Sequence, residues 1–432
     1  MSQPMPLDNF RWMTDEEISN FNPLTDVNEN GMTGRFLEVD LSYPSNLHLD
    51  HSSYPLAPEH MTIEEDDLSP YSVLCLDAIT GRTKGTHLHK AKKLASSFKT
   101  RKNYLCHEQC LQFYVQQGLK VLKIHRGIIF DQKQFMQPYI SHCAQKRAAA
   151  KTKSEAAMYK SLANSLYGKM IEDGSKRISA VFCTNKKSAL NAQSNPRFKQ
   201  ATICDENLSI AFLKKKKLKL DQNWAVGFSI LELSKLHMAK MWYQVIKPSF
   251  KAVNLILSDT DSFLFMAHGA KSPHSMVKTM LPFFDVSNYK PTHALFSQAR
   301  KNQVGLLKNE VPKDSIRKVA AIKAKTYAYE TKRKKVSKRS KGVKKAYRRR
   351  ILFNHYAKVL KKMCSISLTQ YSFLSRKHQI KMVKSERIAF SSFDDKRYYT
   401  CPIHSIPYGS KLIKATKKAG KCLFCKNSLF LI

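Results

Sequence analysis

The stretch LILSDTDSFLFM at residues 255–266 sets two aspartates in a short turn between two apolar runs. The runs, at 253–257 and 263–267, have the composition of buried β-strands, and the acidic turn between them predicts a hairpin. Asp259 and Asp261 are two residues apart, a spacing that sends both side chains to the same side of an extended segment. Two carboxylates held together repel each other unless a cation lies between them. The hairpin therefore predicts a site for a hard divalent metal ion, with an ordinary exposed acidic turn as the alternative.

A site for phosphoryl transfer needs a third carboxylate, and the best candidate is Asp40. This residue ends the apolar segment RFLEVD at 35–40, which predicts a short buried strand. Two Mg²⁺ ions held roughly 3.5–4 Å apart by such a set stabilise the attacking and the leaving oxygen of an in-line displacement. The sequence therefore predicts that Asp40, Asp259 and Asp261 converge at the edge of one antiparallel sheet.

One or two long helices are predicted between residues 138 and 168, because Ala is abundant there and no Pro or Gly intervenes. Within this region YKSLANSLYGKM, at 159–170, places Lys160, Asn164 and Tyr167 at i, i+4 and i+7, on one helix face. A cation, an amide and a phenol on one stripe suit a phosphate together with a base or a sugar. The alternative is an amphipathic surface helix without a ligand.

The overall charge indicates a polyanionic partner. The 432 residues include 74 Lys and Arg against 33 Asp and Glu, a formal net charge of +41, and nucleic acid is the partner class that such a surplus favours. A hydrophobic content of 43% excludes a wholly disordered chain. No stretch approaches the roughly 18 consecutive apolar residues of a membrane span, so no membrane partner is expected. No secretory signal is visible, and the ten cysteines are interpreted as reduced intracellular thiols.

The basic residues are concentrated after the N-terminal region. Residues 1–70 carry 14 acids against two bases, a net charge of −12, whereas residues 331–350 contain 12 bases and no acid. Apolar residues interleave with these bases, which favours a surface that grips phosphates over a solvated loop. The same run is typical of a nuclear import signal, so the nucleus of a eukaryotic host is the expected location, with a viral or cytoplasmic one otherwise. The phosphate-binding candidates are Arg333, Lys334, Lys335 and Lys338.

Three motifs together resemble family B DNA polymerases. Lys-x₃-Asn-Ser-x-Tyr-Gly at 160–168 and Asp-Thr-Asp-Ser at 259–262 look like motifs B and C, and Asp-Leu-Ser-Tyr-Pro-Ser at 40–45 resembles motif A shortened by two residues. Further stretches, such as FLEVDLSYPSNLHLDHSSYPLAPEHM and SSFDDKRYY, are similar to the protein-primed branch, above all to the polymerases of Polinton/Maverick elements and adintoviruses. The resemblance covers residues 8–410. It implies an α+β palm–fingers–thumb fold with an antiparallel palm sheet and helical fingers.

The resemblance also implies an activity, that of a DNA-directed DNA polymerase adding deoxynucleotides to a primer 3′-hydroxyl. Asp40 and Asp261 would be the shared ligands of two Mg²⁺ ions, with Mn²⁺ as an alternative ion, and Asp259 would support them. Lys325 and Tyr327 match a Lys-x-Tyr motif that holds the primer terminus, with a basic strand end as the alternative. The implied partners are primer–template DNA, deoxynucleoside triphosphates and, as a candidate primer, a terminal protein.

The roles implied for nucleotide binding fall on five residues. Lys160 would hold the triphosphate, and Asn164 and Tyr167 would line the nascent base pair. Tyr43 matches the motif A tyrosine that packs under the deoxyribose and excludes a 2′-hydroxyl. Arg147, thirteen residues before Lys160, would be a second phosphate ligand from the fingers.

Five segments make up the predicted organisation. Only 39 residues precede Asp40, so the chain is expected to lack an N-terminal proofreading exonuclease domain. WAVGFSI, at 224–230, is predicted as a strand that leads into a helix. The segments are a polar, irregular N-terminal segment (1–33), a first palm part with a loop-rich insertion (34–115), a strand with the fingers helices (116–175), a second palm part with an insertion and the motif C hairpin (176–312), and a basic thumb and C-terminal region (313–432).

Two other functions remain open from the sequence. A catalytically inactive, DNA-binding remnant of a mobile element is favoured by the short region before Asp40. A reverse transcriptase is disfavoured, because its hairpin turn carries adjacent aspartates and here Thr260 separates them.

A rival metal site lies near the C-terminus. Cys401 and His404, followed by Cys422 and Cys425, have spacings that suit a Cys₃His zinc ribbon. The similar stretch of the Polinton enzymes is not expected to carry such a cysteine set. The sequence therefore favours unrelated reduced cysteines, and no zinc is expected.

Overall fold

The computed structural model describes residues 1–80, 92–219, 221–376 and 379–425. Its first part is built on an antiparallel sheet in which β1, β7, β3 and β6 lie in that order and β2 also pairs with β7. The elements of this part are β1 (Met5–Pro6), β2 (Arg11–Trp12), α1 (Asp15–Asn20), β3 (Thr33–Ser42), β4 (Glu59–Thr62), α2 (Pro70–Thr80), β5 (Lys92–Ala95), β6 (Arg101–His107), α3 (Glu108–Gln116) and β7 (Lys120–Lys133).

Strand β3 occupies the interior of the sheet. It pairs with β6 along one edge and with β7 along the other. Leu37, Val39 and Leu41 alternate along it and are almost fully buried in the main core. Because side chains alternate between the faces of a strand, Glu38 and Asp40 lie on the other face of the sheet.

The N-terminal 33 residues are more ordered than the sequence predicts. Met5 is fully buried, and β1 and β2 extend the first sheet through pairs with β7. Helix α1 begins with a capping box, in which Thr14 and Glu17 each accept the other's backbone N–H. Such a reciprocal cap stabilises even a short helix by about 1 kcal/mol.

The middle of the chain contains the predicted long helices and a small separate sheet. Thr152 caps α5, since its hydroxyl accepts the Glu155 backbone N–H at 3.1 Å. Strands β8, β10 and β9 form an antiparallel sheet in that order. The elements are α4 (Gln137–Ala149), α5 (Lys153–Met170), β8 (Ile178–Cys183), α6 (Lys186–Gln193), β9 (Phe198–Asp205), β10 (Leu208–Lys214) and α7 (Trp224–Lys240), continued by a π-helical segment (Met241–Ile246).

The strand expected at 224–230 is wrong, because these residues form the first two turns of α7. Asn223 starts the helix by accepting the Val226 backbone N–H at 3.2 Å. The helix then buries nine residues, one of them Gly227, against the sheet and α3. An apolar run without clear periodicity is typical of a helix buried on most of its surface as well as of a strand, and here it forms the helix.

The described residues of the C-terminal half form three antiparallel strand pairs, one parallel strand pair, a three-stranded sheet and three helices. Strands β15, β16 and β17 form an antiparallel sheet, and α9 packs against it in a second core around Tyr356 and Phe390. The elements are β11 (Ala252–Asp259), β12 (Ser262–His268), α8 (Pro273–Thr279), β13 (Phe284–Asp285), β14 (Leu307–Lys308), β15 (Ile316–Lys323), β16 (Thr326–Thr331), β17 (Val336–Ser340), α9 (Phe353–Lys362), β18 (Ser365–Arg376), β19 (Gln379–Ser391), β20 (Tyr398–Tyr399), β21 (Ser405–Ile406) and α10 (Lys411–Ala419).

A third core joins the C-terminal region to the first part of the chain. The β20–β21 hairpin and the residues after it pack against α2 and the β4–β5 pair. Tyr408 donates its backbone N–H to Ser96 at 2.9 Å and accepts the Phe98 backbone N–H at 2.6 Å. The C-terminal region is therefore built into the structure next to motif A. Within the described ranges, no helix combines the length and the apolar character that crossing a membrane requires.

Candidate active site

The predicted acidic hairpin is confirmed as β11 and β12. Asp259 pairs with Ser262, which leaves Thr260 and Asp261 as a two-residue turn. Asp261 donates its backbone N–H to the Asp259 carbonyl at 2.7 Å, and Thr260 has a left-handed φ of 56°. A β-branched residue rarely adopts this conformation, and holding it costs about 1–2 kcal/mol. The turn therefore concentrates both strain and charge at one exposed point.

Aromatic packing fixes this hairpin on the main core. The ring of Phe263 lies 5.7 Å from Trp242 and 5.7 Å from Tyr54, and Phe265 lies 6.4 Å from Trp242. Trp242 is itself almost fully buried. The acidic turn thus projects from a strand pair that shares its core with β3.

A second predicted motif meets the first one here. Lys325 lies in the turn between β15 and β16 with a left-handed φ of 61°, and its Nζ is 2.9 Å from Asp259 Oδ1. The hydrogen bond and the charge of Asp259 raise the pKa of Lys325. Burial raises the pKa of Tyr327, and Asp259 acts in the same direction. The Lys-x-Tyr motif and the acidic turn, distant in sequence, therefore form one site.

Asp40 lies within β3 and is only 5% exposed. Register shifts interrupt both strand pairings at this point. Lys102 and Asn103 of β6 lie opposite Asp40 without a paired residue, and His125 of β7 is likewise left out of the pairing. Its carboxylate accepts hydrogen bonds from Lys102 Nζ at 2.8 Å and from the Asn103 backbone N–H at 2.9 Å, and His125 Nε2 lies 2.9 Å away. These three contacts, led by Lys102, hold the pKa of Asp40 well below its usual range. Asp40 is therefore held in its ionised form at neutral pH.

Sequence reasoning missed these three partners of Asp40. Bulges in the neighbouring strands bring them together, and a bulge leaves little mark on a single sequence. The one available signal was Asn103, whose residue type tolerates its left-handed φ of 50° better than most.

The expectation that all three carboxylates share one sheet is wrong for the described strands. Both edges of β3 are already paired, so the β11–β12 hairpin forms a two-stranded sheet of its own. In the described part of the chain, Asp40 is not gathered with Asp259 and Asp261 into a cluster of metal-ligand atoms. The shared metal site of these residues stays a prediction.

The face of α5 predicted to bind a nucleotide is open. Lys160 and Asn164 are exposed and Tyr167 is half-buried. Arg147 is exposed in the last turn of the neighbouring α4. An open hollow of about 530 Å³ lies on the opposite face of α5, beside Tyr139 of α4. The helix face with Lys160, Asn164 and Tyr167 is therefore not buried in the core, and its binding of a nucleotide stays a prediction.

Tyr43 is placed differently from an open sugar-binding tyrosine. It is 7% exposed, and its hydroxyl lies 2.6 Å from His51 Nδ1 and accepts the Leu56 backbone N–H at 3.4 Å. Its ring packs against Phe98 at a centroid distance of 4.5 Å. Burial raises the pKa of Tyr43. Its predicted contact with a deoxyribose remains untested.

The basic block divides into exposed and structural residues. Arg333, Lys334 and Lys335 are exposed in the turn between β16 and β17. Lys338 is half-buried, and its ammonium donates to the backbone carbonyls of Arg349 and Ile351. The first three are available to contact phosphates, whereas Lys338 is bonded to the end of the 3₁₀ turn Tyr347–Arg350.

We expect the Arg333→Gln/Lys334→Gln/Lys335→Gln variant to bind duplex DNA with a weaker salt dependence. Each lost phosphate contact lowers the slope of log affinity against log salt by about 0.9, so the loss is at most about 2.7. Fluorescence anisotropy of labelled duplex DNA between low and moderate salt measures the slope. The control variant replaces three exposed lysines of α10, Lys414, Lys417 and Lys418, and should leave it unchanged. An unaltered slope in the first variant would identify the turn as a solvated loop.

The C-terminal cysteines contradict the expectation that they are unrelated. Ligand atoms of Cys401, His404, Cys422 and Cys425 all lie within 4.8 Å of one another. The residues come from two turns on either side of α10, so their meeting is a consequence of tertiary structure. Spacing alone did not establish it.

Comparison with known proteins supports the fold. The family described as DNA polymerase type B, organellar and viral, matches residues 1–248, more than half of the chain. Phi29 DNA polymerase, in a complex with primer-template DNA and incoming nucleotide substrates, is similar in structure with a TM-score of 0.50 and 11% identity, over 90% of this chain and 55% of that one. Another crystal form of phi29 polymerase gives a TM-score of 0.48 at 11% identity, over the same shares of the two chains. A search of curated proteins finds no match.

The likeness confirms the predicted α+β palm–fingers–thumb fold. The chain spans about half the length of the solved structures that it matches. The family match includes Asp40 and the Lys160 helix and ends before the acidic hairpin. The hairpin's role therefore depends on the motif itself and on its geometry.

Proposed function

Because this chain belongs to the organellar and viral type B DNA polymerases, we propose that it extends the 3′-hydroxyl of a primer with deoxynucleotides under the direction of a DNA template. The contact between Lys325 Nζ and Asp259 Oδ1 carries this proposal. It joins the motif expected to hold the primer terminus to the carboxylates expected to act on it. If this contact were only a surface ion pair, there would be no reason for it to join two motifs of the same enzyme family.

The carboxylates fit divalent cations by their chemistry. Asp259 and Asp261 offer hard oxygen ligands at an exposed turn, the kind that Mg²⁺ prefers. Asp40 offers an ionised carboxylate that is almost fully buried among Lys102, Asn103 and His125. When bound, two such ions supply positive charge at the attacking and leaving oxygens. The ammonium groups of Lys102 and Lys325 lie beside Asp40 and Asp259, which shows that positive charge is favourable at these two positions.

The remaining residues would position the substrates. Lys160 neutralises the triphosphate of the incoming nucleotide, because an ammonium on an open helix face can reach phosphate oxygens without displacing a protein partner. Asn164 and Tyr167 on the same face contact the base pair. Lys325 and Tyr327 hold the primer end close to Asp259, which orients the 3′-hydroxyl for attack.

The substrates of this reaction are primer–template DNA and deoxynucleoside triphosphates. Phi29 polymerase has been solved with both, and the net charge of +41 supports binding to DNA here. The sequence resemblance to Polinton-type enzymes supports a mobile-element or viral origin, priming by a terminal protein and work in the nucleus of a eukaryotic host.

Primer extension by the purified protein tests the proposal. A labelled primer on a DNA template, with Mg²⁺ and all four deoxynucleotides, should be extended to the end of the template. With one nucleotide at a time, the added base should follow the template base. An extension reaction on an RNA template should be much weaker, which separates the proposal from a reverse transcriptase.

A DNA-binding protein without polymerase activity is the second candidate, and one observation favours it. Both carboxylate oxygens of Asp40 are already hydrogen-bonded within the protein, by Lys102, Asn103 and His125. If Asp40 never leaves these partners, it cannot serve as a metal ligand. Tight DNA binding without any extension in Mg²⁺ or Mn²⁺ would establish this function instead.

A further inference from the structure

A compact cluster of soft ligands lies far along the chain from the acidic hairpin. Cys401 and His404 occupy the turn between β20 and β21, and Cys422 and Cys425 follow the end of α10. Helix α10 ends at Gly420, whose left-handed φ of 61° turns the chain back toward the hairpin. The two pairs thus approach each other from two separate turns.

The distances within the cluster are those of ligands around a single small ion. Cys401 Sγ is 3.7 Å from Cys425 Sγ and 3.2 Å from His404 Nδ1, and His404 Nδ1 is 3.8 Å from Cys422 Sγ. A tetrahedron with zinc–sulfur bonds of about 2.3 Å and zinc–nitrogen bonds of about 2.0 Å sets sulfur atoms about 3.8 Å apart and sulfur from nitrogen about 3.5 Å apart. The sulfurs are also too far apart to be a disulfide, which needs about 2.05 Å.

Neighbouring groups aim donors at the sulfur atoms. The backbone N–H groups of Ile403 and His404 lie 3.4 Å and 3.3 Å from Cys401 Sγ. N–H donors of this kind stabilise thiolates and are typical of the outer shell of a metal site. The Thr400 hydroxyl also contacts Cys422 Sγ at 3.2 Å, and either atom can be the donor in this contact. Cys401 and Cys422 are almost fully buried, at 3% and 0% exposure.

We propose that Cys401, His404, Cys422 and Cys425 bind one structural Zn²⁺ ion. Three sulfurs and one imidazole nitrogen complete a tetrahedral shell without an open position, which is the pattern of a structural zinc site and not of a catalytic one. This assignment uses no part of the polymerase proposal, because none of its ligands belongs to the acidic hairpin, the Lys160 helix or the Lys-x-Tyr motif.

The ion fastens the end of the C-terminal region to the hairpin that packs near motif A. Tyr408, two residues beyond β21, hydrogen-bonds to Ser96 and Phe98 through its backbone. Phe98 in turn contacts the ring of Tyr43 at 4.5 Å and stacks on His48 at 4.5 Å. The site therefore stabilises the layer that backs Tyr43, and a structural zinc site contributes its binding energy to folding.

Metal analysis of the purified full chain tests the proposal. The protein, produced with zinc in the medium and freed of loose ions by gel filtration, should contain about one zinc per chain. The Cys401→Ser and Cys425→Ser variants should lose most of it, whereas Cys364→Ser, a free cysteine outside the cluster, should retain it. Retention of zinc in both cluster variants, or an empty wild-type chain that takes up none when zinc is added, would overturn the proposal.

A second measurement covers variants that fail to fold. Wild-type protein treated with a strong zinc chelator should become more sensitive to trypsin at the lysines of α10, and added Zn²⁺ should restore protection. Substitution by Co²⁺ should give the absorption of a tetrahedral thiolate complex. Mass spectrometry that finds a Cys401–Cys425 disulfide in protein purified without oxidant, or unchanged proteolysis after zinc removal, would contradict a structural zinc site.

Discussion

Primer extension by the Asp261→Asn variant is expected to fall at least about a thousandfold, which is a loss of about 4 kcal/mol of transition-state stabilisation. The substitution removes one negative charge from the exposed turn of the acidic hairpin, where divalent cations are expected to bind. Asn is tolerated in turns, and the Asp261 side chain is exposed, so the fold should be kept. Single-turnover incorporation of one nucleotide measures the effect without interference from product release.

A matched control exists in another hairpin of the chain. Asp205 also lies at a hairpin turn, between β9 and β10, and is exposed. Asp205→Asn should extend primers at the wild-type rate. DNA affinity, measured by anisotropy, should be unchanged in both variants because binding depends on the basic surface. Near wild-type incorporation by Asp261→Asn would refute the assignment of the hairpin as the catalytic centre.

The Lys160→Ala variant should lose about a hundredfold in kcat/KM for the incoming nucleotide, or roughly 2.7 kcal/mol, because a charge-assisted contact to the triphosphate disappears. Ala is the best helix former, so α5 itself should not be weakened. Steady-state incorporation at varied nucleotide concentration, with saturating DNA, measures the ratio. We expect KM to rise and the affinity for DNA alone to stay the same.

Lys169 provides the comparison for this variant, since it lies on the opposite face of the same helix and contacts Glu172. Lys169→Ala should change kcat/KM by less than about threefold, as expected for an exposed ion pair. Equal losses in the two variants would show that the helix responds to lost charge in general and that its Lys160 face has no special role.

The sequence alone predicted those parts of the site in which chemistry and local structure coincide. Two apolar strands and a short turn are enough to predict the acidic hairpin. The period of a helix is enough to place Lys160, Asn164 and Tyr167 on one face. Both are set by neighbours within a few residues. The Lys-x-Tyr motif is also visible in the sequence as Lys325 and Tyr327, but the contact between Lys325 and Asp259 is not.

The errors arose where distant residues decide the structure. Asp40 was expected to share a sheet with the hairpin, yet β6 and β7 fill both edges of β3. Lys338 was grouped with three neighbouring bases, although its ammonium bonds to backbone carbonyls. Spacing alone does not relate Cys401 to Cys425, because the 23 residues between them contain α10, which ends in the left-handed Gly420. Each outcome depends on long-range pairing that periodicity and spacing do not encode.

The position of β3 between two later strands has a consequence for biosynthesis. At about 5–20 residues per second, the ribosome needs roughly 5–18 s to proceed from residue 42 to residue 133. During this time β3 is synthesised but cannot yet pair with all of β7. The bond between Tyr408 and Ser96 closes only after a further 275 residues. Until then, the apolar face of α2 that the C-terminal hairpin later covers stays open to solvent. This delay favours aggregation and chaperone binding around the motif A region, which is made early and covered late.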